Sequence, residues 1–281
     1  MLLTQLPNSI LTSVFRREMR LMGIIFEISV VADDEKWANE RIDEAFAEID
    51  RIEELLTDAN PQSAANRINQ FAGIGPVKVD QEVYNLIDRS RKIAELTHGS
   101  FDITYGPANV DYRDIILQPE QTSVFLKEKG MKINLAAIST GYIADRVKYF
   151  LQMQGVASGV VNVAGNLLTW GSQPDHQPWT VSAAAPNQCF GPIANLNISN
   201  MAVITAGNNG YFNTKNGMAV SNIKSVSILS PSAELAAAMG VPVMAMGVRL
   251  GLNLINRLNQ IACVIINHRK KIYTSKNLSY R

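Results

Sequence analysis

At 281 residues the chain is long enough for one large domain or two modest ones, with ample core either way. Its composition, 47% hydrophobic and 18% charged, is that of a globular protein, and it lacks the run of about 18 apolar residues that a membrane span needs. A net charge of +1 argues against a nucleic-acid partner, which requires a dense basic face; the one basic cluster, His268-Arg269-Lys270-Lys271, reads as a solvated turn between two strands.

Residues 1–21 have no continuous apolar segment before a small-residue cleavage site and no cysteine to accept a lipid. They read as a short amphipathic lead-in to a cytoplasmic protein whose single domain fills 22–281. Residues 23–32 are rich in β-branched side chains and predict a strand. Over 34–57, Trp37, Ala38, Ile42, Ala45, Phe46, Ile49, Ile52 and Leu55 recur at helical spacing among charged residues, which predicts an amphipathic helix. A loop with a short helix near 64–71 and a brief strand at 77–79 follow. Asp80 then opens a second helix that ends at His98-Gly99.

A polar connector through Asp111, Tyr112 and Arg113 leads to a strand near 122–126. Residues 131–171 order themselves as strand, Ser139-Thr140-Gly141 turn, helix from Tyr142 to Gln154, Val-rich strand, small-residue turn and strand. Both turns fall where backbone amides at a helix start can meet a ligand. Short strands are predicted at 179–184, 193–198, 202–205 and 224–229, with a turn-rich segment at 206–217. A helix begins at Ser232 and must kink or end at Pro242. A last helix at 249–258 and a hairpin of 261–266 with 271–274 close the chain. Helices interleaved early and strands clustered late predict an α+β fold. Cys189 and Cys263 lie outside any Cys-x-x-Cys spacing and read as free thiols of a reducing compartment. His98, His176 and His268 share no ligand spacing with acids or cysteines.

Several segments, in order, resemble the FAD:protein FMN transferases of the ApbE type. Met22-Gly23 is similar to the family's opening Met-Gly, and residues 56–69 to its Leu-Ser…Pro-x-Ser…Asn loop, which places Ser63 and Asn69. Residues 99–104 resemble Gly-x-Phe-Asp-x-Thr through Asp102 and Thr104. Residues 135–145 resemble Leu-Gly-Gly-Ile-Ala-Lys-Gly-Tyr-x-x-Asp through Gly141 and Asp145, with Thr140 at the Lys. Residues 162–171 resemble Asn-x-Gly-Gly-Asp…Gly through Gly165 and Asn166, and Thr205-Ala206-Gly207 resembles Thr-Ser-Gly. The resemblance implies a T-fold-like α+β architecture with FAD in a cleft. It makes Met22, Ser63, Asn69, Asp102, Thr104, Thr140, Gly141, Asp145, Gly165, Asn166, Thr205 and Gly207 the candidate cofactor-binding residues.

In an active member Mg²⁺ polarises the FAD pyrophosphate while FMN passes to a Ser or Thr hydroxyl of a target protein. Here several of the family's acids are missing. Its Asp before Leu-Gly-Gly is Asn134, its Gly-Gly-Asp is Ala164-Gly165-Asn166, and its His-Ile-Ile-Asp-Pro-x-Thr-Gly is reduced to 210–217 with Asn213. The metal-binding Asp and Thr of the late helix fall on Ala237 and Val241, and the Tyr of the early loop is Ala59. A hard cation needs oxygen ligands, so FAD is the implied ligand, Mg²⁺ is not expected, and no catalytic or metal residue is assigned. The expectation is a homologue impaired in transfer, acting as a binding or scaffold protein with a protein partner, either an active relative or an enzyme of the same pathway. The alternative is a working FAD:protein FMN transferase or a repurposed enzyme on the same fold. Glu234, one turn before Ala237, is the one nearby acid able to replace a lost ligand, if it points into the cleft.

Plainer readings stand beside these. Ser139 and Thr140 can cap a helix, Asp145 can favour a helix N-terminus, and Asp102 can form a turn. Met239, Met244 and Met246 read as core, as do Trp170 and Trp179 beside a polar loop.

Overall fold

A computed structural model gives the structure of the protein and describes residues 12–57, 60–107, 109–182, 195–207 and 222–278. The expectations placed on Ala59, Cys189 and Asn213 lie outside those residues.

Strands β1 (Ser13–Leu21) and β2 (Ile24–Ala32) pair antiparallel in unbroken register, from Ser13↔Ala32 to Leu21↔Ile24. Met22 and Gly23 join them with φ of 53° and 73°, the backbone of a two-residue type I′ turn. Phe15, Met19 and Leu21 of β1 pack on the core, while Arg16, Glu18 and Arg20 face out. Residues 13–21 are thus a sheet strand and not the expected lead-in. Arginines on both faces hide the alternation, since Arg17, on the inner side, is paired with Asp43 of the next helix.

Helix α1 (Glu35–Leu56) is capped by Asp34, which accepts the Trp37 N–H at 2.7 Å, and it buries Ala38, Ile42, Ala45, Phe46, Ile49 and Ile52. Next come α2 (Ala64–Gln70), β3 (Val77–Lys78) and α3 (Gln81–Leu96), with Asp80 at the N-cap position of α3 but making no side-chain bond there. Four short strands follow: β4 (Thr104–Tyr105), β5 (Ile115–Gln118), β6 (Ser123–Leu126) and β7 (Lys132–Ile133). The expected connector conceals β5, where only Ile115 is buried and the apolar signal is correspondingly thin.

Helix α4 (Ala136–Met153) starts well before the predicted Tyr142, so Ser139, Thr140 and Gly141 lie inside a helix and not in a turn. It leads to β8 (Gly159–Val163), β9 (Asn166–Trp170), β10 (Thr180–Ser182), β11 (Asn195–Asn197), β12 (Ala202–Gly207) and β13 (Ile223–Ser230). Helix α5 (Ala233–Ile255), β14 (Ala262–Asn267) and β15 (Ile272–Thr274) end the described chain. Pro242 stays within α5; the break comes at Gly247, whose φ of 77° and ψ of 173° suit only glycine. By length and composition α5 is the one helix among the described residues able to cross a membrane, yet it buries Ala236, Met239 and Val243 in the core.

The main sheet is antiparallel throughout, in the order β1-β2-β8-β9-β12-β13-β14-β15. Helix α1 packs on β2 and α4, α4 on β8 and α5, and α5 on β12 and β13, forming one helical layer. The opposite face carries a smaller cluster of Ile198, Leu229, Ala262 and Val264, joined by Trp179 and Val181. The result is the expected α+β class. Buried Trp170 donates its indole N–H to the Val156 carbonyl at 3.0 Å, and Cys263 is a buried free thiol, pushed up to about 11 by that burial.

Ala164 and Gly165 join β8 to β9 through a second two-residue turn, with φ of 50° and 90°. Only the first is costly, because a Cβ in the left-handed region crowds the carbonyl oxygen that follows it. Ala164→Gly is expected to stabilise the protein by about 0.5–1 kcal/mol, the relieved strain outweighing the added freedom of the unfolded chain. Equilibrium urea unfolding checks it, and an unchanged or lower midpoint would show that the turn bears no strain.

Candidate functional site

A cleft of about 300 Å³ opens between the Met22 turn, the end of α1 and the start of α4. Met22, Glu53, Leu56, Ile133, Asn134 and Ser139 are among its walls. The Glu53 carboxylate accepts the Met22 N–H at 3.1 Å and so fixes the turn against α1. Glu53 carries no sequence signal, since on α1 it reads as one more solvated acid. The amino end of α4, where partial positive charge gathers, forms one side of the cleft through Leu135, Ala136 and Ser139.

Four candidates, Ser63, Asn69, Asp102 and Thr104, stand behind this wall rather than in it. Ser63 is buried and caps α2 by accepting the Asn66 N–H at 3.1 Å. Asn69 binds the backbone of Ile133 twice, donating to its carbonyl at 3.0 Å and accepting its N–H at 2.7 Å, as a neighbouring strand would. Asp102 accepts the N–H and hydroxyl of Thr104 and the N–H of Tyr112 at 2.8–3.0 Å. Burial raises the pKa of Asp102, against those three donors. Thr104 pairs with Ile133 across β4 and β7, so Asn69, Asp102 and Thr104 brace the strand that lines the cleft.

A second group surrounds a gap of about 10 Å³, lined by Thr140, Gly141, Ala144, Asn166, Ile204 and Ala233 among others. Asn166 accepts the Thr205 N–H at 2.9 Å, and the Thr205 hydroxyl meets that of Ser227 at 2.8 Å. Gly165 lies in the adjoining turn, held to the Asn162 side chain at 2.9 Å, and Gly207 ends β12 at the limit of the described segment. A Cβ on Gly141 would stand 2.3 Å from the Ala233 carbonyl oxygen and 2.8 Å from the Ala237 Cβ. Its glycine is therefore required by the contact of α4 with α5.

Asp145 is not at the start of its own helix, as read from the sequence, but at the start of another. Its carboxylate accepts the Ser232 hydroxyl at 2.8 Å and the N–H groups of Ala233 and Glu234 at 2.9 and 3.0 Å, meeting the open end of α5. Glu234 is buried beneath it and held by both oxygens to Arg89, Nε at 2.6 Å and Nη2 at 2.9 Å. Burial raises the Glu234 pKa while Arg89 opposes it. Arg89 also lies over the Tyr142 ring at 5.5 Å, and the Tyr142 hydroxyl donates to Glu82. Among the described residues no three His, Cys, Asp or Glu side chains gather as metal ligands.

The antiparallel sheet, its single helical layer and a cleft at the head of α4 define an α+β protein with a ligand-sized cleft at a helix amino end. A sequence model of the ApbE family matches residues 22–110 and 107–265, and the chain belongs to that family. The chain is 30% identical to an FAD:protein FMN transferase of Klebsiella pneumoniae over 66% of its own length, and the match spans 64% of that relative. A second FAD:protein FMN transferase, of Salmonella typhimurium, is 23% identical over 85% of this chain and 81% of its own. In structure, the flavin transferase ApbE of Vibrio cholerae superposes with a TM-score of 0.83 at 18% identity, covering 94% of this chain and 98% of its own, which shows the shared fold.

Proposed function

We propose that the chain binds FAD in the cleft at the head of α4 and serves as an FAD:protein FMN transferase. The supporting observation is the cleft itself, which in a chain of this family lies between the Met-Gly turn and a helix amino end. At about 300 Å³ it is at the small end of ligand pockets, so it takes part of a dinucleotide rather than all of it. In the reaction an acceptor hydroxyl oxygen bonds to the phosphorus of the FMN half. The bond from that phosphorus to the AMP oxygen breaks, AMP leaves with the electron pair, and the hydroxyl proton passes to solvent. Glu53 holds the Met22 turn, and α4 presents its positive end to the diphosphate.

A second reading has its own observation. The positions of the family's metal-binding Asp and Thr are Ala237 and Val241, and Glu234 is occupied by Arg89. A chain so changed holds FAD without transferring it and works through a protein partner, an active relative or an enzyme of the same pathway. Incubation with FAD and a threonine-bearing acceptor separates the two. Covalent flavin fluorescence on the denatured acceptor, with AMP released, supports transfer, whereas FAD bound with neither product supports holding.

Glu53→Ala frees the Met22 turn and is expected to weaken FAD binding about tenfold, roughly 1.4 kcal/mol, by flavin fluorescence titration. Unchanged affinity would remove this cleft as the flavin site.

A further inference from the structure

We infer that this chain holds FAD without a divalent cation, an inference that rests on the FAD-binding reading above. Mg²⁺ demands a near-octahedral shell of oxygens at about 2.0–2.1 Å, most often one or two carboxylates together with water and phosphate. Among the described residues, the part of the fold where the family's ligands fall supplies neither the oxygens nor the space.

Ala237 and Val241 end in carbon. Ala237 is packed towards α4 so closely that a single added carbon on Gly141 would come within 2.8 Å of its Cβ. The gap beside that contact, about 10 Å³, is the size of one water and too small for a hydrated cation. Among the described residues that line it, only Thr140 and Asn166 carry side-chain oxygen, and the Asn166 carbonyl oxygen already accepts the Thr205 N–H at 2.9 Å.

The acids close by are committed elsewhere. Both oxygens of Asp145 accept bonds from the first turn of α5, at 2.8–3.0 Å. Both oxygens of Glu234 are held by Arg89. Drawing either carboxylate to a cation would leave α5 uncapped or strip half-buried Arg89 of its counter-ion. The amino end of α5 adds partial positive charge to the same place, which further disfavours a cation.

The test has two arms on the purified full-length chain. In the first, Mn²⁺ is titrated with protein and followed by electron paramagnetic resonance, in which bound Mn²⁺ loses the six-line signal of the free ion. The expected result is the signal of free Mn²⁺ throughout; stoichiometric loss of signal overturns the inference. In the second, FAD affinity is read by flavin fluorescence in EDTA and in MgCl₂. Dissociation constants within twofold of each other support the inference, and tenfold tightening by MgCl₂ overturns it. A chain that binds no FAD in either buffer defeats the FAD-binding reading, and the Mn²⁺ titration then decides the cation question alone.

Discussion

Arg89→Met is expected to lower stability by about 2–3 kcal/mol near neutral pH, and by far less near pH 4. The substitution keeps most of the packing of the Arg89 stem and removes only the charge that matches Glu234. Breaking a fully buried pair costs about 3–5 kcal/mol, and the lower figure here reflects an Arg89 side chain that is 41% exposed against 11% for Glu234. The pH dependence follows from the carboxylate left behind. Burial sets the folded pKa of Glu234 above its ordinary 4.5, with Arg89 opposing the rise. A carboxyl raised in this way contributes stability below its unfolded pKa and loses that contribution as pH climbs through the folded value. Without Arg89 the folded value moves higher still, so the deficit of the variant opens above about pH 4.5 and widens towards neutrality. Urea unfolding at several pH values measures it. A deficit independent of pH would place the cost in the lost contact of the guanidinium with the Tyr142 ring instead.

Gly141→Ala is expected to cost about 2–3 kcal/mol, the price of forcing one methyl between two packed helices. The added carbon would meet the Ala233 carbonyl oxygen at 2.3 Å and its carbonyl carbon at 2.7 Å. Backbone cannot rotate away as a side chain can, so α4 and α5 must part, and the bonds from Asp145 to the first turn of α5 stretch with them. Thermal unfolding should show a fall of about 4–12 °C for a protein of this size. Adding Ala237→Gly should not restore the loss, because the severe overlap is with backbone. Full rescue would mean that the side-chain contact decides the packing.

The sequence conveys the frame of this protein better than the duties of its polar residues. Helix α1 is legible because a solvated helix on a sheet must repeat its apolar residues every three or four positions, and Asp34 marks where it starts. The start of α4 is not, because Ser139-Thr140-Gly141 has the composition of a turn and owes its glycine to a helix far along the chain. Pro242 misleads in the opposite direction, since a proline within α5 is tolerated while Gly247 makes the break. In the site, motif order identifies the family, but it cannot separate a residue that touches a ligand from one that ties the backbone. Ser63, Asn69, Asp102 and Asp145 present the same donors and acceptors to either task, and here each has a backbone partner. Glu53 is the converse, a residue in the cleft wall with no local pattern to mark it.

Strand β1 ends the main sheet, and one side of its backbone faces no neighbouring strand among the described residues. Such an edge is a template on which another chain can grow a sheet. It bears Arg16 and Arg17, paired with Glu27 and Asp43, and next to them Glu18 and Arg20, so a strand adding to this edge must disturb those pairs or crowd charged side chains together. Protection of that kind reaches only as far as ions allow, about 10 Å at 0.1 M salt and about 3 Å at 1 M. Concentrated stocks of the protein should therefore keep best at low ionic strength, and self-association, where it arises, should begin on the addition of salt.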